Sequence, residues 1–152
     1  MLFRSMVQSA YSSGKPAYGV GAGNSSIVID ETADIDIAAK NTHLSKVSDF
    51  GSGCSADGNI IIQKSIYSEM IKALTLEGGY LCNENEKELL LKSMWDEKGN
   101  RTFNTIACSP QQLASESGFN IPSDRKFLMV ENQNQIGSEH KFSKEKLTTL
   151  MS

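Results

Sequence analysis

Three thiols and two imidazoles are the groups of this 152-residue chain best suited to covalent chemistry. Cys54 lies in DFGSGCSADG, residues 49–58, among glycines and serines that pack poorly in a core. Such neighbours let backbone N–H groups converge on an atom bonded to the sulfur, as stabilising an oxyanion requires, which marks Cys54 as a candidate nucleophile. Cys82 in YLCNE and Cys108 in IACSP read instead as small buried hydrophobes. Three widely spaced cysteines make neither a disulfide framework nor a zinc pattern, and no Cys/His pair has ligand spacing, so no metal site is expected. A protease-like use of Cys54 needs an imidazole beside it. His43 belongs to the segment predicted as the preceding helix and His140 to the polar GSEHK, so a Cys54–His43 hydrolase or acyl-transfer enzyme stands only as an alternative.

A second stretch, GVGAGN, sets Gly19, Gly21 and Gly23 at alternate positions. A dinucleotide fingerprint would follow a strand and open a helix, so that phosphate meets the helix N-terminus. Here a strand comes next and no GK[ST] follows. The run reads as a tight turn, or as open space if something reactive packs against it.

These loops must be held by regular elements. SSIVID (25–30) is a β-branched apolar run, and DIDIAAKNTHLSKV (34–47) has an acidic first turn with Ile35, Ala38, Ala39 and Leu44 at helical spacing. The pattern recurs as a strand over 59–66 and a helix over 67–79 that stops at glycines. Further helices are predicted over 85–100 and over 109–119, the latter with a Ser cap followed by Pro, and a last buried strand over 126–132. Strands alternating with helices predict an α/β domain with a mostly parallel sheet and helices on both faces. With 39% hydrophobic and 22% charged residues, the chain suits one globular domain. A net charge of −3 and the lack of any basic run disfavour nucleic acid. No apolar run reaches membrane length and no signal segment opens the chain, which places it in the cytoplasm.

Three motifs in order, SAYSSGKPAYGVGAGNSSIVIDETADI (9–35), SKVSDFGSGCSADGNIII (45–62) and FSKEKLTTL (142–150), resemble the CoA-acylating aldehyde dehydrogenases. That family includes the aldehyde dehydrogenase half of the bifunctional aldehyde-alcohol dehydrogenases and the acylating sulfoacetaldehyde dehydrogenases. The likeness runs from about Met6 through nearly the whole chain. It implies the three-layer αβα catalytic domain of the superfamily over residues 6–152, with residues 1–5, which fit the family poorly, expected to be an artefact either of cloning or of the gene start. The family's Rossmann-like cofactor domain and C-terminal oligomerisation segment are then absent.

The resemblance puts Cys54 on the catalytic thiol, which attacks an aldehyde to give a thiohemiacetal. Hydride passes to NAD or NADP, and CoA takes the acyl group from the resulting thioester. It implies a small aldehyde and CoA as partners, with a homo-oligomeric full-length enzyme. Hydrolytic relatives carry a glutamate base where this chain has Gly19, and no carboxylate occurs between Lys15 and Ser26. Gly19, Gly21 and Gly23 would then leave space for CoA, whose thiol needs less base assistance than water. Glu145 matches the carboxylate that holds the nicotinamide ribose. Bifunctional relatives have His before it where this chain has Lys144, which favours the sulfoacetaldehyde-type branch. The chain alone is expected to be inactive in the full redox cycle; the rival expectation is a catalytically silent folded interaction module.

Overall fold

The computed structural model describes residues 2–19, 23–132, 136–137 and 139–152. In chain order its elements are α1 (Leu2–Tyr11), β1 (Ser25–Ile29), α2 (Ile35–Val47), β2 (Asp57–Ile62), α3 (Tyr67–Leu76), β3 (Gly79–Leu81), α4 (Glu84–Met94), α5 (Pro110–Glu116), β4 (Phe127–Met129) and β5 (Leu150–Met151). Polar caps set the helix starts. Asp34 accepts from the Ile37 N–H at 3.0 Å, Ser109 accepts from Gln112 N–H at 3.2 Å, and Asn83 and Glu86 form a reciprocal capping box.

β1 pairs with β2, and β3, β4 and β5 form a second ladder, every pair parallel. The two ladders meet at Ser152, whose N–H donates to Gly58 O at 3.2 Å and whose carbonyl accepts from Ile60 N–H at 2.9 Å. The spatial order is therefore β1-β2-β5-β4-β3. Strand alternation divides the core in two. Phe127, Met129, Met151 and Ile29 join Met70 and Leu74 of α3 on one face, while Leu128, Val130 and Leu150 join Leu90 of α4 and Leu113 of α5 on the other. This is the αβα layering expected from sequence. The α4/α5 layer stops short of the β1–β2 end, where Val28 and Ile61, paired in register, are 72% and 53% exposed.

The elements differ from expectation where side-chain burial outweighs periodicity. The strand predicted over 59–66 ends at Ile62, and Lys64–Ile66 coil into a 3-10 turn. The helix predicted over 85–100 ends at Met94, because Trp95 turns extended to bridge Arg101 and buries its indole edge-on against Phe142, 5.4 Å away. On α2, Leu44 is exposed while Thr42 and Lys46 are buried.

Two lysines are the unusual members of this core. Lys46 and Lys146 are each 1% exposed. Lys46 Nζ donates to Asp57 O at 3.0 Å. Lys146 Nζ faces Asn59 Oδ1 at 2.8 Å, Ser152 Oγ at 3.1 Å, Lys144 O at 3.2 Å and Phe142 O. Burial brings Lys46 down to about 8 and Lys146 to about 7, the latter further disfavoured by Lys46 and Arg101 nearby.

The backbone preceding Cys54 is left-handed for three residues: φ is 46° at Asp49, 53° at Phe50 and 65° at Gly51. Ser52 N–H closes this turn on Asp49 O at 3.1 Å. A Cβ on Gly51 would stand 2.6 Å from the Thr148 carbonyl oxygen.

Two outcomes follow from these features. Gly51→Ala should cost about 2–4 kcal/mol, from left-handed strain plus a backbone clash. Gly53→Ala, with only Ser55 Oγ at 3.9 Å, should stay within about 0.5 kcal/mol; urea titration of the two variants checks both. Because Lys46 and Lys146 bind protons less readily folded than unfolded, stability should rise with pH from about 7 to about 10, where the unfolded lysines lose their protons. From about 9 upward the Cys82 thiol, pushed up to about 12 by burial, offsets part of that rise. Melting temperatures across that range should climb in the wild type and climb less in Lys146→Met.

Candidate active site

Cys54 stands exposed in a four-residue turn closed by Ala56 N–H donating to Gly53 O at 3.0 Å, directly before β2. Both roots of this turn are fixed. On the near side the left-handed turn lays Gly51 against Thr148. On the far side Asp57 N–H donates to Ser45 Oγ at 3.1 Å, and Asp57 O receives the buried Lys46 ammonium. The thiol is thus presented from a rigid frame, at the amino end of a strand rather than the carboxyl end where open parallel sheets usually bind ligands.

Of the glycine run, Gly19 lies against α1. Its N–H donates to Tyr11 Oη at 2.8 Å, and a Cβ there would meet Val7 Cγ1 at 2.4 Å. Gly21 lies outside the described residues. Gly23 faces open space, with no atom within 4 Å of a Cβ placed on it. The next residue ties the run to the site: Asn24 Nδ2 donates to Ser143 O at 2.6 Å. Its Oδ1 occupies the spot where a Gly58 side chain would begin, 2.2 Å from an ideal Cβ, which explains why position 58 carries none.

Glu145 follows on the same strip of chain, half-buried, with partial burial holding its carboxyl above the ordinary value. Ser143 O also accepts from Asn59 Nδ2 at 3.3 Å, while Asn59 Oδ1 accepts from Lys146 Nζ. The Cys54 turn, the end of the glycine run and the Glu145 turn therefore converge on the first residues of β2.

The histidines are engaged elsewhere. His43 packs edge-on against Phe127 at 6.1 Å, with Nδ1 3.5 Å from the Glu77 carboxylate, and His140 Nε2 lies 3.6 Å from Glu139. Cys82 and Cys108 are buried, and burial raises both thiols, Cys82 to about 12. Sequence reasoning missed Asn24, Asn59 and Lys146. Asn24 closes the glycine run itself, but Lys146 sits in KEKL, where a lysine right after Lys144 and Glu145 reads as solvated.

The profile of the aldehyde dehydrogenase family matches residues 3–79. A sulfoacetaldehyde dehydrogenase from an Acholeplasma species is 39% identical over 150 residues, covering 96% of this chain and 31% of the relative. An acetylating aldehyde dehydrogenase from Geobacillus thermoglucosidasius superposes with a TM-score of 0.90 at 35% identity, over 97% of this chain and 32% of that one. A Rhodopseudomonas palustris propionaldehyde dehydrogenase, crystallised with bound CoA and an acylated cysteine, superposes with a TM-score of 0.85 at 27% identity, over 97% of this chain and 33% of that one. The chain thus spans about a third of the relatives it matches here. Among the described residues no helix is long and apolar enough to cross a membrane. With the αβα layers, the ordered motifs and these likenesses in agreement, the chain belongs to the aldehyde dehydrogenase family.

Proposed function

We propose that this chain is the catalytic part of a CoA-acylating, NAD(P)-dependent aldehyde dehydrogenase, with Cys54 as nucleophile, Glu145 toward the cofactor and the open side of Gly23 toward CoA. The observation that carries the reading is the convergence of the Cys54 turn, Asn24 and the Glu145 turn on the start of β2. The propionaldehyde dehydrogenase with bound CoA and an acylated cysteine, alike over 97% of this chain, supports the same chemistry.

The Cys54 thiolate attacks the aldehyde carbonyl, forming a C–S bond and an alkoxide that takes up a proton to become a thiohemiacetal. When bound, NAD(P)+ would supply the hydride acceptor that takes this carbon to the acyl level, leaving an acyl thioester on Cys54 and releasing one proton. Attack by the CoA thiol then returns the Cys54 thiol. The described segment 23–26 holds no carboxylate to activate water, so the thioester persists for a thiol acceptor.

An interaction module lacking turnover is the second reading, favoured by the uncovered apolar pair Val28 and Ile61. Acyl transfer separates the two. With only Glu145 and the Cys54 turn to hold it, a hydride acceptor is bound too loosely by these 152 residues alone for fast transfer. Aldehyde, CoA and NAD(P)+ should therefore give no NAD(P)H with this chain. The thioester half-reaction needs no hydride acceptor: acyl-CoA should acylate Cys54 and release CoA, detected by peptide mass spectrometry. Iodoacetamide should label Cys54 at least about ten-fold faster than buried Cys82 or Cys108. Acylation confined to Cys82 or Cys108, or none with acyl-CoA in excess, would overturn the nucleophile assignment.

A further inference from the structure

Lys146 takes no part in the chemistry proposed for Cys54 and Glu145, yet its side chain joins the segments that carry them. Its Nζ lies within hydrogen-bonding distance of Asn59 Oδ1, on β2 five residues past the thiol, of Phe142 O and Lys144 O, on the turn that leads into Glu145, and of Ser152 Oγ, where β5 meets β2. Three donor hydrogens are shared among four acceptors, with the side chain 1% exposed.

The backbone around it is fixed with equal care. Lys146 O accepts from Arg101 Nε at 3.1 Å, Leu147 O accepts from Ala107 N–H at 2.9 Å, and Thr148 O closes on Gly51. Leu147 and Ala107 both have φ of 51°, so left-handed residues gather on both sides of this strip.

From this geometry we infer that Lys146 is a positioning residue, which locks the Glu145 turn to the root of the Cys54 strand through Asn59 so that thiol and carboxylate keep one separation. The inference rests on the reading of Cys54 and Glu145 given above. A purely stabilising role would be served as well by apolar side chains in these places; a registry role explains why the acceptors come from three separate segments. The charged groups that bear on Lys146 are Lys46 on α2 and Arg101 after α4, and Asp57 on β2 offsets Lys46.

The test uses the full chain, 15N-labelled, as wild type, Lys146→Met and Ser152→Ala. In the wild type the Asn59 side-chain amide resonances should shift in one step near neutral pH, as the amine that faces Oδ1 loses its proton. Ser152→Ala keeps the lysine and removes one acceptor, so it should fold and move that step to lower pH. Lys146→Met should abolish the step and slow acylation of Cys54 by acetyl-CoA about ten-fold, with iodoacetamide labelling of Cys54 changed less than about two-fold.

Equal acylation of Cys54 in the wild type and a folded Lys146→Met, or Asn59 side-chain amide signals unchanged between those two proteins, overturns the inference. If Lys146→Met does not fold, an unmoved step in Ser152→Ala overturns it and a moved step upholds it. If wild-type Cys54 alkylates but is never acylated, the functional reading fails instead, and the Asn59 step alone decides whether Lys146 ties the two segments.

Discussion

Everything near the thiol depends on keeping the chain between Phe142 and Ser152 pressed against β2, and a buried amine does the pressing. Placing Lys146 out of water carries a desolvation cost of several kcal/mol, visible in how far burial lowers its proton affinity. Four oxygens from β2, the 142–144 turn and the end of β5 offset it. Asn59 is the hinge of this arrangement. It accepts from Lys146, accepts from the Ser152 hydroxyl at 2.9 Å and donates to Ser143 O, so three segments share one amide. Because parallel strands cannot be joined by tight hairpins, β2 and β5 reach each other across a long stretch of chain. Side-chain clasps supply the register that a hairpin would otherwise impose.

Strain gathers at the same place. Asp49 and Phe50 are left-handed without being glycine, at roughly 1–2 kcal/mol per residue. Phe50 is half exposed, so its ring gains only part of the usual burial in return. What holds the turn is outside it: Gly51 wedged on Thr148, and the α2 terminus gripping Asp57 through Ser45 and Lys46. A sharp reversal set by its neighbours presents Cys54 at the surface while leaving its own turn free of bulky contacts, which suits the nucleophile role proposed for it.

The sequence revealed what periodicity and turn chemistry encode. The strand at 25–29, the helices at 35–47 and 67–76 and the Ser109 cap were legible because each repeats a pattern over several residues or uses a specific capping group. β3 and β5, three and two residues long, were not, since so few residues show no alternation and their pairing is with chain far away. The early end of α4 was hidden for a related reason: KSMWDEKGN continues a helical pattern, and only the burial of Trp95 between Phe142 and the Arg101 guanidinium pulls it out. At the site, the thiol and the glycine run announced themselves by composition. The lysines did not, because Lys46 and Lys146 stand among polar residues in the chain and are buried only by what folds over them.

The open end of the sheet bears on how such a piece could work. Ile27, Ile29, Ile60 and Ile62 turn toward α2 and α3, whereas Val28 and Ile61 turn toward the side that α4 and α5 leave bare. The β1–β2 pair is also the part of the sheet that carries Asn24 at one strand's root and Cys54 at the other's. A cover over that face would thus lie on the same two strands that aim the site residues. Since stiffness in a sheet comes from packing on both faces, the bare face leaves β1 and β2 to rely on α2, α3 and the Lys146 clasp for their placement. The Lys146 clasp therefore acts where the sheet is least supported in this structure, joining β2 to the 142–144 turn and to the end of β5.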